Sequence, residues 1–192
     1  MGIFGPNKKD ILMQFCNEVG GEYVKSGFFK DNIARVKVKR WVIYLKFVTQ
    51  TYGGESSVTI NSTRMYVHYS NKDFFYFKLQ RKGLLNILGK LIGIKYIEVG
   101  YPDFDRDFII KGNDESKVRS LFGNPIIRSL IEVQPYIFFK LKGNVLYFQE
   151  NSIIYDIKRL KSLYQLFVET LNQLYSERSR KPRQKRKVKH RN

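Results

Sequence analysis

Trp41-Val42-Ile43-Tyr44-Leu45-Lys46-Phe47-Val48-Thr49 is the stretch that decides the architecture. In extended backbone, successive side chains point to opposite faces. Trp41, Ile43, Leu45 and Phe47 then share one face, while Val42, Tyr44, Lys46 and Val48 share the other. One face is wholly apolar and the other mixed, which is the pattern of a strand that lays one side on a core.

The same period of two spreads outward on both sides. Residues 22–24 and 28–29 flank a short turn at Lys25-Ser26-Gly27, and 33–38 pairs with 41–49 across Lys39-Arg40. Tyr52-Gly53-Gly54-Glu55 turns the chain into a long strand over 57–69, and Ser70-Asn71-Lys72-Asp73 turns it again into 74–80. Strands joined by such short connections pair with their sequence neighbours and need no crossover helix. The expectation is an antiparallel meander.

Helical spacing brackets these strands. Asn7 stands as an N-cap before Ile11, Leu12, Phe15, Cys16 and Val19, with Asp10 placed to bond back to the cap and Gly20-Gly21 as the stop. Cys16 lies on the apolar stripe and behaves as a small buried hydrophobe. A short helix is expected over 84–92 and an extended segment over 95–99. A strand over 107–111 follows, then a helix from Asn113-Asp114-Glu115 to Phe122. Pro125 opens another helix, being well suited to a first helical position. Residues 136–142 and 145–150 form a hairpin across Gly143-Asn144, and Asp156 caps a closing helix. That helix carries one stripe of Ile157, Leu160, Leu163, Tyr164, Phe167, Leu171 and Leu174. Strands and helices are segregated along the chain, so the fold class is α+β: helices packed on an antiparallel sheet in a single domain over 1–176.

Composition supports a packed core and excludes several classes. The 192 residues are 43% apolar and 15% aromatic, with a single Cys and only 5 Pro, so neither wholesale disorder nor a disulfide scaffold fits. Met1-Gly2-Ile3-Phe4-Gly5-Pro6 has no apolar run behind a basic start, and no stretch nears the ~18 apolar residues of a spanning helix. A cytoplasmic setting is expected.

The run Phe104-Asp105-Arg106-Asp107-Phe108-Ile109-Ile110-Lys111-Gly112-Asn113-Asp114-Glu115, with Lys117-Val118-Arg119 and Leu121-Phe122 after it, resembles a family of bacterial conserved proteins that share a domain of unknown function. Arg81-Lys82-Gly83, Gly89-Lys90 and Ile97-Glu98-Val99-Gly100 belong to the same likeness. The resemblance implies a common fold over the body of the chain. It implies no activity and no functional residue.

The parts for enzymatic work are few. His68 and His190 are the only histidines, so a triad or a zinc site would have to be built on His68, and no Cys pair exists for a structural zinc. Asp103, Asp105 and Asp107 alternate, and extended backbone would put three carboxylates on one face, a possible seat for a hard cation. A solvated turn is the simpler account, because Phe108 and Asp114 stand where a calcium loop needs Gly and Glu. No glycine-rich phosphate loop occurs. Neither catalytic residues, nor a metal site, nor a cofactor, nor a small-molecule substrate is indicated. Phe74, Tyr76, Tyr66 and Tyr44 would offer a stacking platform for single-stranded nucleic acid, but core packing is the preferred explanation for them.

Charge is what remains. The chain holds 35 Lys+Arg against 17 Asp+Glu, a formal +18. Residues 177–192 alone hold Arg178, Arg180, Lys181, Arg183, Lys185, Arg186, Lys187, Lys189 and Arg191 against Glu177. Self-repulsion and Pro182 favour a disordered polybasic tail. The expectation is a non-enzymatic protein whose tail contacts a polyanion, foremost nucleic acid without sequence preference. Two alternatives stay open: an anionic membrane surface met by the tail and the 84–92 helix, and a small-ligand or enzymatic pocket.

Overall fold

A computed structural model describes residues 7–25, 32–54, 57–83 and 96–180. In chain order the elements are α1 (Lys8–Val19), β1 (Glu22–Val24), β2 (Ile33–Val38), β3 (Trp41–Tyr52), β4 (Val58–His68) and β5 (Phe77–Arg81). There follow α2 (Pro102–Asp107), β6 (Phe108–Gly112), α3 (Glu115–Gly123), α4 (Pro125–Glu132), β7 (Phe138–Lys142), β8 (Val145–Glu150) and α5 (Ile157–Arg180). The fold is α+β in one domain, with all eight strands in one antiparallel sheet.

Local chemistry sets the helix ends. The Asn7 side chain accepts from Lys9 N, and Gly20 ends α1 at φ 70°, a left-handed conformation that glycine adopts without strain. The return bond expected from Asp10 is not made; Asn7 caps alone. Asp114 caps α3, Asn124 caps α4 with Pro125 behind it, and Asp156 accepts from Lys158 N and Arg159 N at the start of α5.

The strand order is β1-β2-β3-β4-β8-β7-β5-β6, which corrects the expected meander. The β7–β8 hairpin inserts between β4 and β5, so two strands adjacent in sequence do not pair. The reason is complementarity. Met65 of β4 lies opposite Phe148 and Val67 opposite Leu146, while Phe77 of β5 lies opposite Leu141 and Leu79 opposite Phe139. The hairpin thus offers a matched apolar edge on each side.

One face of the sheet carries the core. Ala34, Val36, Ile43, Leu45, Met65, Val67, Leu79, Leu141 and Leu146 pack there against Phe15 of α1, Leu121 of α3, Ile127 of α4 and Leu163 of α5. A file of aromatic rings runs through it: Phe104, Phe122, Phe77, Phe139 and Phe167, with successive centroids 6.5, 5.2, 5.5 and 5.4 Å apart. Each buried phenyl contributes about 1.5–3 kcal/mol relative to exposure. Cys16 is part of this interior, and burial pushes its thiol pKa up.

Two segments depart from expectation and three fall outside view. Residues 102–107 form a helix where a solvated turn was expected, because Pro102 sits at the first helical position and Phe104 is buried. The backbone of 177–180 continues α5, so the first residues assigned to an unstructured tail are helical. The strand expected at 28–29 and the helix expected at 84–92 lie outside the described residues, as do residues 181–192.

Candidate nucleic-acid interface

The helices pack on one side of the sheet, and the other side carries the polar halves of the alternating strands. Register joins these outward side chains into rows. Arg35 faces Tyr44, Tyr44 faces Tyr66, and Tyr66 faces Tyr147. The row goes on through Lys140, Lys78 and Lys111. Three tyrosines and then three lysines thus stand as direct cross-strand neighbours over six strands, β3 to β6. Lys142, the next outward residue along β7, adds a fourth ammonium.

Like charges set opposite one another destabilise a sheet. Among the described residues no carboxylate forms an ion pair with Lys78, Lys111, Lys140 or Lys142; the described acids that do pair do so with other cations. Lys78 lies between Lys111 and Lys140, and its pKa is held below the usual lysine value, first by burial and then by those two charges. Burial and Lys142 lower Lys140 in the same way. The ammonium groups rest on rings: Lys78 and Lys140 lie 4.9 and 5.1 Å from the Phe138 centroid, Lys140 5.0 Å from that of Tyr147, and Lys111 5.2 Å from that of Tyr96. Such contacts are worth ~0.5–1 kcal/mol where water has access. A phosphate, which accepts charge-assisted hydrogen bonds, is a stronger partner.

The tyrosines are half-buried. Tyr44 and Tyr66 stack at 5.1 Å and 18°, and His68 stands edge-on to Tyr66 at 6.1 Å. Burial, followed by the charge on Tyr44, raises the Tyr66 pKa; burial raises Tyr147 against the opposing pull of Arg64. Tyr44 and Tyr66 therefore belong to the outward face, and Phe74 and Tyr76 are 83% and 46% exposed. The core-packing expectation is corrected for all four.

Beside the lysines lies a cleft of about 810 Å³ lined by Gln80, Tyr136, Phe138, Lys140, Lys142 and Tyr147, among others. Gln80 is only 3% exposed, and its Oε1 has no hydrogen-bond partner. An unpaired buried polar group costs about 1–3 kcal/mol. Gln149, by contrast, is engaged, accepting from Tyr147 Oη and donating to Asn151. The cleft's far end meets the α5 start, where Arg159 forks onto the buried Glu150 carboxylate and its Nε donates to Gln134.

The tail residues are placed only at their root. α5 reaches the rim of the sheet where Tyr69 Oη donates to Leu174 O, Trp41 packs edge-on to Tyr175, and Arg40 lies over the Tyr175 ring at 3.9 Å. Asn144 of the β7–β8 turn is at the same rim, accepting from Tyr69 N, so Lys142 and the end of α5 share one end of the sheet. Arg178 and Arg180 lie in the last turn of α5, and Lys181, Arg183, Lys185, Arg186, Lys187, Lys189 and Arg191 lie outside the described residues. The row on the sheet was missed in the sequence; Tyr44 and Lys46 do read as outward, but their neighbours come from strands far along the chain.

The remaining candidates come apart. Asp105 accepts from Val99 N, Gly100 N and Tyr101 N, whereas Asp103 and Asp107 both bind Arg106, so the three carboxylates share no face. Among the described residues no group of three or more His, Cys, Asp or Glu is placed to hold a metal, and no helix is long and apolar enough to cross a membrane. Set against known protein families, curated proteins and solved structures, the chain matches none.

Proposed function

We propose that this protein binds nucleic acid across the outward face of its sheet, with the cations of 177–192 adding charge. One observation carries the reading: Lys140, Lys78 and Lys111 are direct neighbours without a carboxylate among them, in line with three tyrosines. A folded chain maintains such an arrangement against its own repulsion, and a polyanion relieves it by exchanging condensed counterions for fixed ammonium groups. The rings supply the sequence-tolerant stacking that bases accept. The reading assigns no reaction and goes with a cytoplasmic setting. It moves the principal contact from the tail to the sheet.

The test is fluorescence anisotropy of a labelled mixed-sequence oligonucleotide against full-length protein at 50–200 mM salt. Two variants divide the charge: Lys78→Gln/Lys140→Gln on the sheet, and Arg183→Gln/Lys185→Gln/Arg186→Gln/Lys187→Gln in the tail. The sheet variant is expected to lose more affinity at 50 mM salt than the tail variant, although it removes fewer charges. Equal binding by the sheet variant and the wild type overturns the reading. Binding of anionic vesicles in preference to the oligonucleotide replaces it with the membrane-surface alternative.

A further inference from the structure

We infer that the cleft beside β7 and β8 receives one unstacked base of a bound single strand, with the base's hydrogen-bonding edge turned to the Gln80 amide. This rests on the nucleic-acid reading above and adds to it a requirement for unpaired bases.

Gln80 points the way. It is buried to 97% by its 3% exposure, it lines the cleft, and its Oε1 lacks a partner. A glutamine amide is a donor and an acceptor side by side, and the ligand that satisfies it presents the reciprocal pair on one planar edge. Nucleobases do so on the edge that pairs in a duplex, which a single strand leaves open.

The surroundings suit the rest of a nucleotide. The cleft's ~810 Å³ lies in the range of small-molecule sites. Phe138 and Tyr147 offer ring faces now occupied by the Lys78 and Lys140 ammonium groups. If these lysines swing onto phosphate, the faces are freed for a base. Lys142 stands at the exposed mouth, toward the rim where α5 ends. Gln149 is already bonded to Tyr147 and Asn151, so Gln80 alone reads the edge.

The same chemistry could arrive as a free nucleotide, and the experiment separates the two. Full-length wild type and Gln80→Leu are titrated with a labelled 12-nucleotide single strand. Unlabelled competitors are that strand, a duplex with the same number of phosphates, and a nucleoside monophosphate. The expected result is that the single strand competes roughly tenfold better than the duplex, a difference that two hydrogen bonds supply. Gln80→Leu should abolish that preference while leaving the salt dependence intact, because the lysines remain. Thermal unfolding guards against misfolding; Leu removes an unsatisfied buried amide, so the variant should melt no lower than wild type. Equal competition by strand and duplex in the wild type overturns the inference, and so does a preference that survives in a folded Gln80→Leu. Competition by the monophosphate as strong as by the strand overturns the strand assignment in favour of a free nucleotide. If no nucleic acid binds at 50 mM salt, the reading of the lysine row fails and the inference falls with it.

Discussion

Replacing Lys78 by Gln should strengthen the fold and weaken the binding. Lys78 is the middle ammonium of its row, with Lys111 opposite on one side and Lys140 opposite on the other. Removing it relieves two like-charge cross-strand contacts, a gain of about 0.5–1 kcal/mol on the usual scale for such pairs. For a chain of this size that raises Tm by roughly 2 °C. The sign is checked by pH. Folding depresses the Lys78 and Lys140 pKa values below 10.5, so between the folded and unfolded values the unfolded chain holds more protons. Stability therefore rises as pH climbs toward 10.5, and below that window the penalty is full and constant. Tyr66 and Tyr147 are raised above 10.0, so their effect opposes this above pH 10 and the comparison belongs below it. In Lys78→Gln the rise should shrink. Binding should move the other way. The share of the salt-dependent loss owed to Lys78, Lys111, Lys140 and Lys142 on a single strand is ~50-fold between 50 and 200 mM salt, and with one lysine gone that share is ~20-fold, the tail's cations steepening both proteins alike. Urea denaturation at pH 7 and just below pH 10, with salt-titrated anisotropy, reads the two effects. An unchanged salt slope together with unchanged stability would refute the reasoning, for then the row would be neither strained nor engaged.

Other substitutions test the scaffold. Arg159→Met leaves the Glu150 carboxylate, 5% exposed, without its cation and should cost about 3–5 kcal/mol, visible as a Tm lower by roughly 10 °C in calorimetry. Asp105→Ala strips the acceptor from Val99 N, Gly100 N and Tyr101 N; a loss of about 1–3 kcal/mol is expected in chemical denaturation, and a change under 0.5 kcal/mol would mean water replaces the carboxylate. Lys39 holds φ 53° in the two-residue β2–β3 turn, where Gly sits without strain. Lys39→Gly should stabilise by about 0.5–1 kcal/mol despite losing the exposed bond to Asn172, and a lower urea midpoint would contradict this.

Much of the fold could be read from local pattern because local chemistry enforces it. The inward set Trp41, Ile43, Leu45 and Phe47 is buried as the alternation demanded, and the caps at Asn7, Asp114, Asn124 and Asp156 do the work their side chains permit. Strand order was not readable. β4 and β5 are sequence neighbours joined by residues 69–76, and the match of Met65 and Val67 with the far-off Phe148 and Leu146 parts them. Asp103, Asp105 and Asp107 were expected in a solvated turn, and the helix there went unread because it rests on Pro102 at the first position and the burial of Phe104. The candidate interface stayed hidden because it exists only in register. Tyr44, Tyr66, Tyr147, Lys140, Lys78 and Lys111 come from six strands, and their order across the sheet differs from their order in the chain.

The inserted hairpin also dictates a sequence of assembly. Until residue 150 has left the ribosome, β4 has a bare edge with no mate, and β5 with β6 form an orphan ribbon that nothing ties to the earlier strands. The late arrival of residues 138–150 closes both gaps at once, so half of the molecule cannot mature before the other. A nascent chain stalled short of this point should expose two sticky margins and call on chaperones, whereas one that has also released α5, whose Leu160, Leu163, Phe167 and Leu171 complete the core, should resist proteases.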